Sequence, residues 1–418
     1  MIDHQRREFL KRLALIFTVS LLPIGLNGWA GGLNDLAGEG PQRRKRLIVL
    51  FQRGAVDGLS VVIPYGDSAY YDVRPNIAIP STGGADTAVD LNGYFGLHPA
   101  LSTVVPLWRD KTLAFVHACG SPDPSRSHFD AQAFMECGTP GIATTPDGWM
   151  NRLLAVLPGP HSPTQAISLG PVLPRILKGK MNVSNLALGR NAAQPMPLDR
   201  PMIENAFGEL YKGDDPLSQA YRQGQLSRKQ IINDLKSHMM AADNGAPPPS
   251  QFAQNTGKLA QLMVSDSNIQ LAFLDLGGWD THVNQGASKG QLAGHLKALG
   301  EGLFSLTQGL GDAYRDTVII IISEFGRTVH ENGDLGTDHG HGNVMWLMGG
   351  GIQGGKIYGE WPGLAKENLY EERDLAVTTD FRNVIASVLA QHLNIDGEQL
   401  NIIFPGMPPN GQNIIRFS

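Results

Sequence analysis

Five segments of the chain are apolar along nearly their whole length rather than at every second position. They are LIVLFQ (47–52), TLAFVHAC (112–119), NIQLAFLDL (268–276), TVIIIIS (317–323) and VMWLMGG (344–350). Continuous apolar runs of this length are the signature of strands buried on both faces. Between them lie stretches with helical spacing, over 127–137, 290–316 and 378–393. Ser127 stands at a helix N-cap position with Asp130 three residues on, an imperfect capping box. Strands alternating with helices predict an α/β fold, a three-layer sandwich with a mixed, mostly parallel sheet.

The pattern changes between Gly148 and Asn255. The stretch 213–244 reads as long amphipathic helix, and GAPPPS (245–250) reads as a linker. The expectation is a helical insertion over about 150–255 in a single domain spanning 45–418, with no active centre of its own.

The N-terminus has a different character. A basic start precedes an apolar run from Leu13 to Leu22, which Pro23 and Gly25 end. That run falls short of the roughly 20 residues needed to cross a bilayer, so it reads as the core of a signal peptide. Arg6-Arg7-Glu8-Phe9-Leu10-Lys11 resembles the twin-arginine export signal. Residues 1–30 are therefore expected to be removed on export to the periplasm or cell exterior. The export machinery is the expected partner, and no stable membrane span is expected to remain.

Composition narrows the function classes. The formal net charge of −5 gives no electrostatic basis for nucleic-acid binding. Two cysteines, Cys119 and Cys137, make no disulfide framework, although an oxidising compartment would let them pair.

Candidate chemistry gathers just beyond the strands. Asp57 follows the first; Ser125, Arg126, Ser127 and His128 follow the second; Asp280 and His282 follow the third. Glu324 and Arg327 follow the fourth, and Asp338, His339 and His341 precede the fifth. Ligands of open α/β sheets bind outside the carboxyl ends of strands. Asp280 and His282 with a later histidine offer mixed oxygen and nitrogen ligation, which suits zinc or manganese. Asp57 and Glu324 offer oxygen, which also suits magnesium or calcium. Arg126 and Arg327 have the guanidinium forks that grip anionic esters. GASKG (286–290) matches a serine-hydrolase elbow, but a polar loop precedes it where that motif needs a strand.

These segments together resemble a known family. Gly54–Leu59, Arg126–Asp130, Gly277–His282, Ser323–Thr328 and Gly349–Ile352 are similar, in order, to the bacterial exported family catalogued as domain of unknown function 1501. That family is grouped with the alkaline phosphatase and sulfatase-like superfamily. The resemblance implies an alkaline phosphatase-like sheet and one or two divalent metal ions. It implies metal ligation by Asp57, Asp280, His282, Glu324 and His339, with His341 as a substitute. It implies Ser127 as nucleophile, with Arg126 and Arg327 stabilising a small anionic ester. The implied reaction is metal-dependent hydrolysis of a phosphate or sulfate ester. The sequence departs from the superfamily at Phe325, where an imidazole is usual. Pro122 stands where a sulfatase carries its converted cysteine.

Overall fold

The computed structural model describes residues 44–142, 144–170, 172–186, 208–219, 221–223, 251–408 and 415–417. The proposed signal segment 1–30 and most of the amphipathic stretch 213–244 lie outside the described residues. Twelve strands are present among the described residues. They are β1 (Arg46–Gln52), β2 (Val62–Ile63), β3 (Val89–Asp90), β4 (Gly96–Leu97), β5 (Leu113–Gly120) and β6 (Ala166–Leu169), followed by β7 (Ser184–Leu186), β8 (Leu271–Leu276), β9 (Thr317–Ser323), β10 (Asn343–Gly349), β11 (Lys356–Tyr358) and β12 (Thr379–Asp380). Nine form one sheet in the order β11-β5-β10-β9-β1-β8-β6-β7, with β12 beside β5. Every neighbouring pair is parallel except those made by β10, which runs against both β9 and β5. The sheet is thus mixed and mostly parallel, as its apolar runs predict.

The reason for continuous apolar strands is visible in β1. Successive side chains of a strand point to opposite faces. Ile48 and Leu50 enter one core with Ile319 and Ile321 of β9, under the helices Gln251–Ser265 and Gln291–Leu310. Leu47, Val49 and Phe51 enter the other with Val318, Ile320 and Ile322, under the helices Trp149–Val156, Phe381–Leu393 and Gly397–Ile403. Helices on both faces bury every residue of β1 and β9.

The sheet reaches further into the chain than the hydrophobic pattern indicates. β6 and β7 lie within the stretch assigned to the insertion, yet they extend the sheet beyond β8. Each is only three or four residues long, too short for a periodic signal. Cys119 and Cys137 are both buried and free, so no disulfide links them.

Asp57 takes a different role from the metal ligation expected of it. It is wholly buried, and its carboxylate is filled by protein donors. Arg74 Nη1 donates to Oδ2 at 2.6 Å and Nη2 to Oδ1 at 3.0 Å; Ser60 Oγ and Gln285 Nε2 donate to Oδ2 at 2.6 and 2.8 Å. Burial alone would raise its pKa, but the charge and hydrogen bonds of Arg74 outweigh this, and the pKa is lowered. Arg74 in turn donates to the carbonyls of Val329 and Thr328, so the pair ties the loop after β1 to the loop after β9.

Two predictions follow from these buried groups. Arg74→Met strands a buried carboxylate and is expected to cost about 3–5 kcal/mol in urea denaturation. Asp57→Asn with Arg74→Met should recover part of that loss, and Asp57→Asn alone should leave metal stoichiometry unchanged. Loss of metal at normal stability would return Asp57 to the ligand set. The second prediction concerns His98, His117 and His392, which burial pushes down to about 4. Each donates Nε2–H to a backbone carbonyl while neutral. Below pH 6.5 the unfolded chain takes up these protons before the folded one does. Stability is therefore expected to fall between pH 6.5 and 4, by about 1.4 kcal/mol per pH unit for each group. A urea midpoint flat across that window would contradict the neutral assignment.

Candidate metal centre

The parallel strands β1, β5, β8 and β9 all end at one edge of the sheet. Because β10 runs the other way, the residues leading into it arrive at the same edge. The loop after β5 ends at Ser127, which caps the helix His128–Cys137 by accepting from Asp130 N. The loop after β8 carries Asp280 and His282. Glu324 follows β9 directly, and Asp338 to His341 precede β10. A short ribbon pairs the last two segments: Arg327 bridges His339, and Gly340 N donates to Gly326 O at 2.8 Å. A Cβ on Gly340 would fall 2.4 Å from the Arg327 backbone, so the ribbon requires glycine there. Gly54, at φ +114, does the same for the loop after β8, where a Cβ would meet Asp280 N at 2.8 Å.

This arrangement brings His128, His339 and Asp280 together, with ligand atoms all within 4.8 Å of one another, and sets His282 beside His339 and Asp280. His339 Nε2 lies 3.0 Å from His128 Nε2, 3.1 Å from His282 Nε2 and 3.2 Å from Asp280 Oδ1. His282 Nε2 is 2.9 Å from the same Asp280 oxygen, and His128 Nε2 is 3.7 Å from Asp280 Oδ2. The opposite nitrogen of each ring faces an oxygen acceptor. His128 Nδ1 donates to Glu324 Oε1 at 2.8 Å, His282 Nδ1 to Asp338 Oδ1 at 3.1 Å, and His339 Nδ1 to the Arg126 carbonyl at 3.0 Å.

Those acceptors determine the tautomers. A carboxylate or carbonyl oxygen takes a proton from Nδ1, so in each neutral ring Nε2 carries a lone pair. The His339 lone pair then faces those of His128 and His282 and the anionic Asp280 oxygen, which is repulsive unless a cation lies among them; Arg327 Nη1 reaches only to 3.5 Å from His282 Nε2. Metal-bound histidines have this same outer partner for the second nitrogen. A tetrahedral site with bonds of about 2.1 Å separates its ligand atoms by about 3.4 Å, near the 3.0, 3.2 and 3.7 Å found among His128, His339 and Asp280. Three nitrogens and one oxygen suit zinc or a similar divalent transition metal better than magnesium or calcium.

Charge at the site is balanced from behind. Arg327, wholly buried, donates to Asp280 Oδ1 at 2.5 Å. Burial would raise the Asp280 carboxyl, yet Arg327 and His282 hold it below its usual value. Burial and the neighbouring Arg327 charge lower His339. His128 goes the other way: its hydrogen bond to Glu324 outweighs burial and raises it. Glu324, which burial would raise, is lowered by the bonds from His128 and Gln132. Phe325 packs against the rings of His128 and His339, with centroids 5.0 and 5.1 Å away.

The expected residues divide accordingly. Asp280, His282 and His339 point into the cluster. Glu324 is nine-tenths or more buried and accepts from Gly54 N, His128 and Gln132 through the one oxygen, Oε1. It stands behind His128, whose Nδ1 it accepts from. His341 turns away, donating from Nε2 to Ser121 O at 3.0 Å and packing on Tyr370. Arg327 is no free anion grip: Gly54, Ala55, Trp279 and Thr337 carbonyls and Asp280 occupy its donors. Arg126 is likewise committed to Asp374 and Glu371. Ser127 is exposed and caps its helix with a long 3.5 Å contact. Asp57 lies in the Arg74 pair described above. His128, at the start of a helix beyond β5, joins the cluster although the resemblance gives it no ligand role. Asp338 was missed as the carboxylate behind His282. Asp380 caps the helix Phe381–Leu393 and pairs with Arg382.

Among solved structures the chain is similar to Ps i-CgsB in complex with k-i-k-neocarrahexaose, at 10% identity and a TM-score of 0.38, covering 85% of this chain and 74% of that one. It is similar to the lipoteichoic acid synthase LtaP from Listeria monocytogenes, at 11% identity and a TM-score of 0.34, covering 76% and 69%. It is also similar to the C-terminal periplasmic domain of EcEptC from Escherichia coli in complex with Zn, at 11% identity and a TM-score of 0.33, covering 73% of each chain. No curated protein matches the sequence. The family model described as protein of unknown function (DUF1501) matches residues 44–404, nearly the whole of the described domain, and the chain belongs to that family.

Proposed function

We propose that the protein is an exported, metal-dependent hydrolase of anionic esters, with phosphate esters preferred and sulfate esters next. The grouping of His128, His339 and Asp280, with His282 beside it, carries this reading. A divalent ion held there would polarise the ester oxygen and lower the pKa of an attacking hydroxyl or water. His128, His282, His339 and Asp280 would bind it. Glu324, Asp338 and the Arg126 carbonyl keep protons on the Nδ1 atoms, which leaves Nε2 free at each ring. The attacking oxygen is assigned to Ser127 Oγ, next in sequence to His128, or to a water. The weak cap at 3.5 Å leaves that hydroxyl free to turn.

A second reading has its own support. Arg126 and Arg327 are both tied up in ion pairs, so neither is placed to grip an ester. That favours a non-catalytic exported metal-binding or surface-assembly protein on a hydrolase-like scaffold. Export is supported by the twin-arginine-like Arg6–Lys11 ahead of the apolar run Leu13–Leu22. Among the described residues no helix is long and apolar enough to cross a membrane.

Elemental analysis of the gently purified protein is expected to find about one divalent ion per chain, and Asp280→Ala and His339→Ala should lose it. Turnover on a panel of aryl phosphate monoesters, diesters and sulfates should fall about a thousand-fold in Asp280→Ala, roughly 4 kcal/mol of barrier. Ser127→Ala separates a serine attack from a water attack. A fully metallated protein inactive on the whole panel would favour the binding reading. In cell fractionation, Arg6→Lys with Arg7→Lys should leave the full-length chain in the cytoplasm; unchanged export would remove the signal assignment.

A further inference from the structure

His339 is the middle of the cluster, since its Nε2 touches all three other candidate ligands. What holds it is a segment that neither the motifs nor the metal reading uses. Residues 370–374 form a tight turn closed by two backbone bonds, Tyr370 N to Asp374 O at 2.8 Å and Asp374 N to Tyr370 O at 3.0 Å. Glu371 and Glu372 within it both have φ of +53, the left-handed region that residues other than glycine rarely enter. Two successive such residues need firm support from their surroundings. A backbone bridge from Thr328 to Asp374 and the bond from Val329 N to Arg373 O supply it, fixing the turn beside the ribbon that bears His339.

From that turn two arms reach His339. Arg373 Nη2 donates to the His339 carbonyl at 3.0 Å. Asp374, wholly buried, accepts from Arg126 Nε at 3.0 Å and Nη2 at 2.5 Å. Glu371 takes a further bond from Arg126 Nη2 at 2.7 Å. The Arg126 guanidinium is thereby fixed, and the carbonyl of that same residue accepts the proton of His339 Nδ1. The first arm sets the backbone of His339. The second sets its ring and its tautomer. His128 and His282 have side-chain carboxylates for this purpose, whereas His339 relies on a backbone carbonyl, whose position depends on the side chain of its own residue.

We propose that the turn 370–374 is a clamp for His339, with Asp374 as a positioning residue that acts through Arg126 and Arg373 as one that acts on the His339 backbone. The proposal rests on the metal reading above but is measurable apart from it. The clamp accounts for the engagement of Arg126 with Asp374: the guanidinium serves the ligand shell and not the substrate.

The test uses the full mature chain and zinc alone as probe. Chelator competition should show Asp374→Asn and Arg373→Met each binding zinc about 10- to 100-fold more weakly than the parent, the usual effect of removing an outer partner. Glu371→Gln, which leaves the buried Asp374 arm intact, should change affinity less than threefold. With cobalt substituted, the visible d–d bands should shift in Asp374→Asn but not in Glu371→Gln. In the metal-free protein, nitrogen NMR of labelled histidines should report His339 as the Nδ1–H tautomer in the parent and a mixture in Asp374→Asn. Should Asp374→Asn fail to fold, Arg373→Met, half-exposed at its site, decides through the same measurements. Folded variants with parental affinity, spectrum and tautomer would overturn the clamp. A parent that binds no zinc while His339 keeps its Asp374-dependent tautomer would overturn the metal reading and leave the clamp standing.

Discussion

A buried guanidinium must find an acceptor for each of its donors, because an unmet one costs as much as a lost charge-assisted hydrogen bond. Arg327 meets that demand with the carbonyls of Gly54 and Ala55 after β1, Trp279 after β8, Thr337 before β10, and the carboxylate of Asp280. The loops after β1 and β8 are thereby drawn, with the far end of its own loop, around one side chain that follows β9. The candidate metal centre sits directly on this knot, since Asp280 is both the last acceptor and the carboxylate that faces the imidazoles. An aliphatic residue in place of Arg327 would release the loops together with the charge that keeps Asp280 ionised.

The carboxylates of the edge fall into layers at increasing distance from the convergence point. Asp280 faces the three imidazoles. Glu324 and Asp338 stand behind His128 and His282, where they hold protons on Nδ1. Asp57 lies in a sealed pair with Arg74, where it joins loops and touches no imidazole. The same functional group thus faces the imidazoles, backs an imidazole or serves as a structural tie. Which task each performs is decided by what donates to it. Asp57 receives four hydrogen bonds from neutral and cationic side chains, three of them at Oδ2, and is wholly buried with Arg74 as its counter-charge.

Much of the fold was legible in the sequence. The runs 47–52 and 317–323 appear as strands almost to the residue, because burial on both faces demands apolar side chains at every position. The capped helix at Ser127 and the chemistry beyond the strand ends were equally plain. β6 and β7 were not, since three or four residues in an irregular stretch carry no period. His128 was hidden by its neighbours: beside Ser127 and Arg126, each with a ready role in ester chemistry, an imidazole at a helix start drew no separate weight. Phe325 reads as a missing ligand in the sequence, yet in the structure it is a wall that steadies two imidazoles.

The sequence by itself determined the layers, the edge of the sheet at which chemistry gathers, and three of the four groups that converge there, because hydrophobic period and strand order are local properties of the chain. Only the tertiary structure decided which carboxylate faces the imidazoles, which ones stand behind them, and which arginine is spent on holding loops together. Those assignments turn on differences of an ångström between oxygens and nitrogens brought together from positions as far apart as Gly54 and His339. No spacing along the chain encodes separations of that kind.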